Sequence, residues 1–196
     1  YFPPFYCSIC QTTLEMGLTH KLDKLSGIMI TGLCDTLRAF SQNWKAGVDA
    51  VPMIYVSQPQ NRQDPAGREY VLASYTEAKR AVEECADAII DDDKLAEAIK
   101  LYNQWRAAMR TFVELAGTHP AEVGVAARKD VIEASYFMDK ADHLKAVTAL
   151  NDALAALPPS DDGFKKIVVS GIYEGIPQIL DMFEENKFAI VGDDLS

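Results

Sequence analysis

The sequence predicts an α/β fold built around short parallel strands. Two apolar runs, Ile28–Ile30 and Val51–Val56, are continuous rather than alternating, which is typical of parallel strands covered on both faces. A segment with helical spacing follows each run, and the same order returns from Lys165 onwards. Because strands alternate with helices, the sequence favours a parallel sheet with crossover helices.

A helix is predicted on each side of the first strand. Ser8–Gly17 forms the first of them, with Ser8 as its cap and Gly17 as its stop. Asp35 or Thr36 is expected to cap the second helix. The buried side of this second helix is predicted to contain Leu37, Phe40 and Trp44.

The middle of the chain is predicted to be helical. A polar loop that contains proline follows the second strand, and four amphipathic helices are expected at residues 69–90, 91–116, 128–138 and 140–157. The inward side of the second of these helices is predicted to contain Leu95, Ile99, Tyr102, Trp105, Met109 and Phe112. Two prolines and a Ser-Asp-Asp-Gly run then form the clearest linker. A strand at KIVVSG, a helix and a strand at FAIVGDD complete the pattern.

We therefore expect three parts. Residues 1–64 are predicted to be the end of a first α/β domain with the cysteine loops, residues 65–158 a helical bridge, and residues 159–196 the start of a second α/β domain. The chain opens at Tyr1 without a methionine and stops just after a strand-like run, so we expect an excerpt of a longer protein. The missing parts are then expected to hold part of the functional site.

The composition argues against several classes of function. A formal net charge of −10 without a basic cluster does not suit nucleic-acid binding, which needs cations to neutralise phosphates. No apolar run approaches the ~20 residues of a membrane span, and no signal peptide is recognisable. Four cysteines are too few for a secreted disulfide scaffold of this length. We expect a cytoplasmic protein that uses some of its thiols as ligands.

Three of the four cysteines lie between an extended segment and a predicted helix. Cys34 follows the first strand, and ligands bind outside the carboxyl ends of strands in open α/β sheets. Cys7 and Cys10 form a CxxC just before the first predicted helix. Cys85 falls on the apolar stripe of a helix and is predicted to be a core residue.

The residues alone leave the chemistry of these cysteines open. Zinc would need a second cysteine pair or a histidine pair, and the three histidines show no such spacing: His20, His119 and His143. A thiol–disulfide pair at a helix start is one alternative. An iron–sulfur cluster is another, because Cys7 and Cys34 each lie at a strand-to-helix junction of one sheet and could meet there.

The ordered motifs resemble a known family. YCSICQTTLE followed by KLDKLSGIMITGLCDTLR is similar to the 2-hydroxyacyl-CoA dehydratase and benzoyl-CoA reductase family, whose second motif is a strand that ends in Cys-Asp-x-x-Arg/Lys. The later segment SGIYEGIPQILDMFEENKFAIVGDDLS resembles the opening of that family's second domain. The resemblance covers essentially the whole chain.

The resemblance implies a fold, a cofactor and partners. It implies two Rossmann- or flavodoxin-like parallel-sheet domains joined by a helical segment, each only partly covered by this chain. A [4Fe-4S] cluster would lie between the domains, and a homologous sibling subunit would complete the enzyme. A separate iron–sulfur activator would hydrolyse the ATP and receive its electrons from ferredoxin, and the substrate would be an acyl-CoA.

The family motifs also imply roles for individual residues. Cys7 and Cys34 match cluster-ligand positions, and Cys10 falls at a variable position beside them, as a neighbour or a further ligand. The family's third cysteine is expected directly after the DDL motif, where this chain has Ser196. Either a serine oxygen or water replaces that cysteine, or the ligand lies beyond this chain.

Two carboxylates are expected to orient these ligands. Asp35 follows Cys34 and either caps the helix or anchors the cysteine loop. Asp194, together with Asp193, ends the last strand and either caps a following helix or orients the residue after it. No residue is assigned a catalytic role from the sequence.

The residues and the resemblance support several functions. The lead-in PPFYCSICQTTLEMGL and the SQPQNR loop favour a subunit of an ATP-dependent benzoyl-CoA reductase, with a 2-hydroxyacyl-CoA dehydratase as the alternative. A redox or metal-binding module centred on Cys7 and Cys10 is a third hypothesis. A non-catalytic scaffold subunit with buried, inert cysteines is a fourth.

Overall fold

The computed structural model describes residues 2–61, 63–170 and 176–193 of the chain. The chain divides into two compact units, Tyr1–Asp91 and Asp92–Ser196. The described residues form seven helices and four strands in a mixed α/β fold, as predicted. In chain order these are α1 (Ser8–Leu18), β1 (Ile28–Thr31), α2 (Asp35–Gly47), β2 (Met53–Val56), α3 (Pro65–Ala86), α4 (Asp92–Thr118), α5 (Val125–Phe137), α6 (Lys140–Ala155), β3 (Lys165–Val169), α7 (Pro177–Glu185) and β4 (Phe188–Asp193).

The first unit contains the predicted parallel pair. β1 and β2 run in parallel, in register from Ile28 opposite Met53 to Thr31 opposite Val56, and α2 is the crossover between them. The core beneath α1 and α2 consists of Cys10, Leu14, Phe40, Trp44, Val48 and Val51. The predicted buried side of α2 is confirmed, since Phe40 and Trp44 are buried and Leu37 packs against the same core.

The close contact between α1 and α2 depends on a glycine. A Cβ placed on Gly17 would lie 2.7 Å from Cη2 of Trp44 and 3.0 Å from Cγ2 of Val48, so the helices touch in their last turns. Trp44 is fixed in turn, because its indole N–H donates a hydrogen bond of 2.8 Å to the carbonyl oxygen of Val51. Gly17 therefore allows the two helix backbones to approach each other.

The first sheet is less covered than the sequence predicts. Met29, at the centre of β1, is half exposed, whereas continuous apolar strands are expected to be buried on both faces. The described residues pair only two strands in this sheet.

The second unit joins a helical layer to another parallel pair. The core of α4, α5 and α6 is formed by Phe112, Ala116, Val123, Val147 and Leu154. β3 and β4 are parallel, with a register irregularity between Ile167 and Val168. Helix α7 packs on this sheet through Leu180, which meets Val125 and Ile190.

Two helices differ from the prediction. Helix α3 begins earlier, at Pro65, because the side chain of Asp64 caps it by accepting a hydrogen bond from the N–H of Ala66 at 2.8 Å. It ends at Ala86, where Asp87 takes a left-handed conformation with φ 47°. Along α4, three predicted inward residues are exposed by two fifths or more: Leu95, Ile99 and Tyr102.

The arrangement of the chain as two Rossmann-like domains, with boundaries at residues 64 and 158, stays a prediction.

The expectation about membrane spans can be compared with the helices of the structure. None of the helices in the described ranges combines the length and the apolar character needed to cross a bilayer.

Candidate functional site

Helices α1 and α2 each begin at a cysteine. Cys7 is the cap residue of α1, not Ser8 as predicted, and its thiol is exposed. The thiol makes no capping hydrogen bond of standard geometry, yet the backbone N–H groups of Cys10 and then Ile9 lie near enough to lower the pKa of Cys7. The start of α1 therefore favours a thiolate at Cys7.

Cys34 has the same position on α2. It adopts an extended conformation between β1 and the helix, and its exposed sulfur accepts a hydrogen bond of 3.5 Å from the N–H of Leu37. The cap is thus the cysteine itself, which corrects the expectation that Asp35 or Thr36 would cap α2. The physical reason is the extended backbone of Cys34, which places its sulfur over the first turn of the helix.

The two exposed cysteines lie at the same end of the helix pair. Gly17 of α1 contacts Trp44 of α2. The number of residues from Cys7 to Gly17 equals the number from Cys34 to Trp44. With a rise of ~1.5 Å per residue, both cysteines lie about 15 Å along their helices from that contact. Cys34 also contributes to the raised pKa of Cys10 in the first turn of α1, which supports the view that the helix starts are neighbours.

Cys10 differs from the other two in its burial. Its side chain is 6% exposed and belongs to the core beneath α1 and α2. Burial, then the neighbouring thiols of Cys7 and Cys34, raises the pKa of Cys10 to about 11. The Cys10 thiol is therefore protonated at neutral pH, and its role as a neighbour or a further ligand stays a prediction.

The cysteines fit part of an iron–sulfur site. A [4Fe-4S] cluster is held by thiolates, and the exposed sulfurs of Cys7 and Cys34 at two neighbouring helix starts have the required chemistry. Within residues 2–61, 63–170 and 176–193, however, no three histidine, cysteine or acidic side chains are grouped so as to hold a metal. This part of the chain thus offers an incomplete ligand set.

Asp35 is the first residue of α2, and its side chain points into solvent. The carboxylate is fully exposed and lies 3.9 Å from the guanidinium of Arg38, a weak surface ion pair. A carboxylate in the first turn also interacts favourably with the helix dipole. Whether Asp35 anchors the cysteine loop stays a prediction.

The loop that carries Cys34 packs against Tyr55, a residue that the sequence analysis did not single out. A Cβ on Gly32 would overlap the hydroxyl oxygen of Tyr55 and lie 3.7 Å from Nε of Arg38. The N–H of Gly32 also donates to the carbonyl oxygen of Val56 at 3.2 Å, which extends the strand pairing by one step. Close packing therefore favours glycine at position 32, and the sequence signal for it was a glycine just after a strand.

A second polar arrangement lies at the end of β4. Asp193 forms a buried ion pair with Arg128 of α5, whose side chain is 4% exposed. Arg128 was not singled out from the sequence, because a basic residue at the start of an amphipathic helix gives no sign of burial. The other residues predicted here, Asp194 and Ser196, lie outside the described residues.

The histidines of the second unit have structural partners. His143 is buried, accepts a hydrogen bond of 2.9 Å from the indole N–H of Trp105 and donates one of 3.0 Å to the carbonyl oxygen of Val131. His119, also buried, contacts the carbonyl oxygens of Leu115 and Leu157 through its two ring nitrogens. Both rings are engaged in packing the helices.

Comparison with known proteins identifies relatives over the whole chain. The family model of the 2-hydroxyglutaryl-CoA dehydratase D-component matches residues 1–196. The chain is 43% identical over 99% of its length to the beta subunit of (R)-2-hydroxyglutaryl-CoA dehydratase from Acidaminococcus fermentans, and 38% identical over its full length to the (R)-phenyllactyl-CoA dehydratase beta subunit from Clostridium sporogenes. It spans about half of these relatives, covering 52% of each.

A reductase subunit is also related, at lower identity. One of the benzoyl-CoA reductase subunits from Thauera aromatica is 29% identical over 63% of this chain and is covered over 32% of its own length. The dehydratase subunits are thus more similar over a longer stretch, and the expected preference for the reductase branch is not favoured. With its family model matched from end to end, the chain belongs to the 2-hydroxyglutaryl-CoA dehydratase D-component family.

Proposed function

We propose that this chain is part of the cluster-bearing subunit of a 2-hydroxyacyl-CoA dehydratase, which eliminates water from a 2-hydroxyacyl-CoA. The observation that carries the proposal is the pair of exposed thiols, Cys7 and Cys34, at two neighbouring helix starts. The identity with two dehydratase beta subunits supports a lyase rather than the benzoyl-CoA reductase that the sequence motifs favoured. The substrates in those names differ, so the acyl group stays open.

In this proposal Cys7 and Cys34 bind a [4Fe-4S] cluster, with Cys10 beside them. When bound, such a cluster supplies single electrons at low potential to the acyl-CoA chemistry. The chain's own contribution is positional. The start of α1 stabilises the Cys7 thiolate, the extended backbone at Cys34 turns its sulfur outward, and the packing of Gly17 on Trp44 sets the two helices side by side.

The proposal includes partners that this chain does not contain. A homologous sibling subunit is supported by the beta-subunit names of the relatives. An ATP-hydrolysing iron–sulfur activator, ferredoxin as electron donor and a further ligand in place of the family's third cysteine belong to the same proposal. The cytoplasmic location stays a prediction.

The iron content of cysteine variants tests the ligand assignment. In the full-length protein purified without oxygen together with its sibling subunit, Cys34→Ala and Cys7→Ala should each lose most of the iron, because each removes one of few thiolates. Cys85→Ala is the matched control, since Cys85 packs beside Ile54 and Val56 and should retain the iron. Equal iron loss in all three variants, with equal loss of thermal stability, would mean general unfolding and contradict the assignment.

The colour and the substrate then separate the remaining hypotheses. A cluster gives brown protein with broad absorption near ~400 nm, whereas colourless protein with zinc supports a metal-binding module and colourless metal-free protein a scaffold. The complete complex should dehydrate a 2-hydroxyacyl-CoA and leave benzoyl-CoA unreduced. Reduction of benzoyl-CoA by the complex would overturn the dehydratase proposal.

A further inference from the structure

The end of β2 carries a small group of hydroxyl side chains. The phenol of Tyr70, on α3, donates a hydrogen bond of 2.6 Å to Oγ of Ser57, the residue directly after β2. The N–H of Ser57 donates to Oγ of Ser74 at 3.0 Å, one helical turn further along α3. Ser57 is thus held from two sides, through its backbone and through its side chain.

The hydrogen bond from Tyr70 determines what the Ser57 hydroxyl can do. A serine hydroxyl has one hydrogen to donate and can accept with its lone pairs. Because the oxygen already accepts from Tyr70, the hydrogen of Ser57 can donate to a further group. Ser57 therefore presents an oriented donor at the surface of this edge.

This donor lies on the same edge of the sheet as Cys34. β1 and β2 are parallel, and the bond from Gly32 to Val56 places the residues that follow the two strands next to each other. Cys34 is two residues beyond Gly32 and so lies within about 7 Å of it, measured between Cα atoms. Ser57 directly follows Val56, so both residues lie at the carboxyl edge of one two-stranded sheet.

We propose that Ser57 is a positioning residue that donates a hydrogen bond to a sulfur atom of the cluster at Cys34, with Tyr70 holding its hydroxyl in the donating direction. The inference rests on the proposed function, since it needs a cluster at this edge. Hydrogen bonds to the sulfurs stabilise the reduced, more negative form of a cluster and so raise its reduction potential. Ser57 then tunes the potential without binding iron.

The test is a redox titration of the cluster, followed by electron paramagnetic resonance, in the full-length protein with its sibling subunit. Ser57→Ala should shift the midpoint potential to more negative values, because it removes the donor. Tyr70→Phe should shift it in the same direction by less, since it frees the hydroxyl to rotate. Ser57→Thr keeps the donor and should retain the potential of the unmodified protein.

Thr76→Val is the matched control on the same helix. Its hydroxyl only donates to the carbonyl oxygen of Leu72, so the potential should not change. An unchanged potential in Ser57→Ala, with normal iron content, would overturn the inference while the proposed function stands. A change confined to the KM for the acyl-CoA would also overturn it, because the acceptor would then be the substrate. A protein without iron even when unmodified would instead overturn the proposed function.

Discussion

Replacing Gly32 with alanine is expected to displace the loop that carries Cys34. The added Cβ would overlap the hydroxyl oxygen of Tyr55. Ordinary contacts between such atoms are about 3.5 Å, so the loop and the ring must separate by about 1 Å. Overpacking of this kind costs roughly 1–3 kcal/mol. Alanine also restricts the unfolded chain, which offsets about 0.4–1 kcal/mol, and the net loss of stability should be about 1–2 kcal/mol.

Two assays on the full-length protein measure this effect. Urea denaturation gives the change in the free energy of unfolding, and the rate at which a chelator removes iron reports on the Cys34 loop. We expect both to worsen in Gly32→Ala. Gly27→Ala, at the other end of β1, is the control, because its Cβ would lie 3.4 Å from Sγ of Cys85, close to an ordinary contact.

A double variant tests the physical reason. Tyr55→Phe removes the hydroxyl and leaves the ring carbon that lies 3.1 Å from the Cβ position of Gly32. Gly32→Ala combined with Tyr55→Phe should therefore recover most of the lost stability. If Gly32→Ala is as stable as the unmodified protein, or if the double variant is no better than the single one, the packing argument is refuted.

Three further predictions concern other parts of the chain. In cluster-free protein, Cys7 should react with iodoacetamide at a lower pH than a free thiol, because its pKa is lowered. Cys10, with its pKa raised to about 11, should stay unreactive up to about pH 10. Peptide mass spectrometry measures both reactions, and alkylation of both cysteines at one pH would contradict the prediction. Trp105→Phe should lower the free energy of unfolding by about 1–3 kcal/mol without iron loss, because it leaves the buried His143 without its donor. Gly17→Ala should speed iron loss to a chelator although no thiol is changed, and a rate equal to the unmodified protein would refute it.

The elements of the first unit were predictable because their signals are local. The continuous apolar runs and the spacing of Phe40 and Trp44 depend on neighbours in sequence, and β1, α2 and β2 appear where they indicate. The cap of α2 was not predictable from the sequence, because aspartate such as Asp35 is a common capping residue whereas sulfur is a weak hydrogen-bond acceptor. The backbone of Cys34, rather than the residue preference, decides which side chain covers the first turn.

The contacts around the candidate site could not be predicted from the sequence. Gly32 and Tyr55 meet only because two strands pair in a particular register, and Arg128 meets Asp193 across most of the second unit. Helical spacing along α4 predicted the helix but could not tell what covers it, so Ile99 was expected inside and is exposed. Long-range contacts depend on the fold as a whole, which local patterns do not specify.

The contact between Gly17 and Trp44 is the point about which a change in the angle between α1 and α2 would move their N-terminal ends. Each helix runs about 15 Å from that contact to its cysteine. A tilt of only about 4° between the helices would therefore move the two sulfurs by about 1 Å relative to each other. An iron–sulfur bond does not stretch by such an amount. In the proposed cluster site, the separation of the thiols therefore depends on the far end of the helices, where Gly17 lets the indole of Trp44 approach.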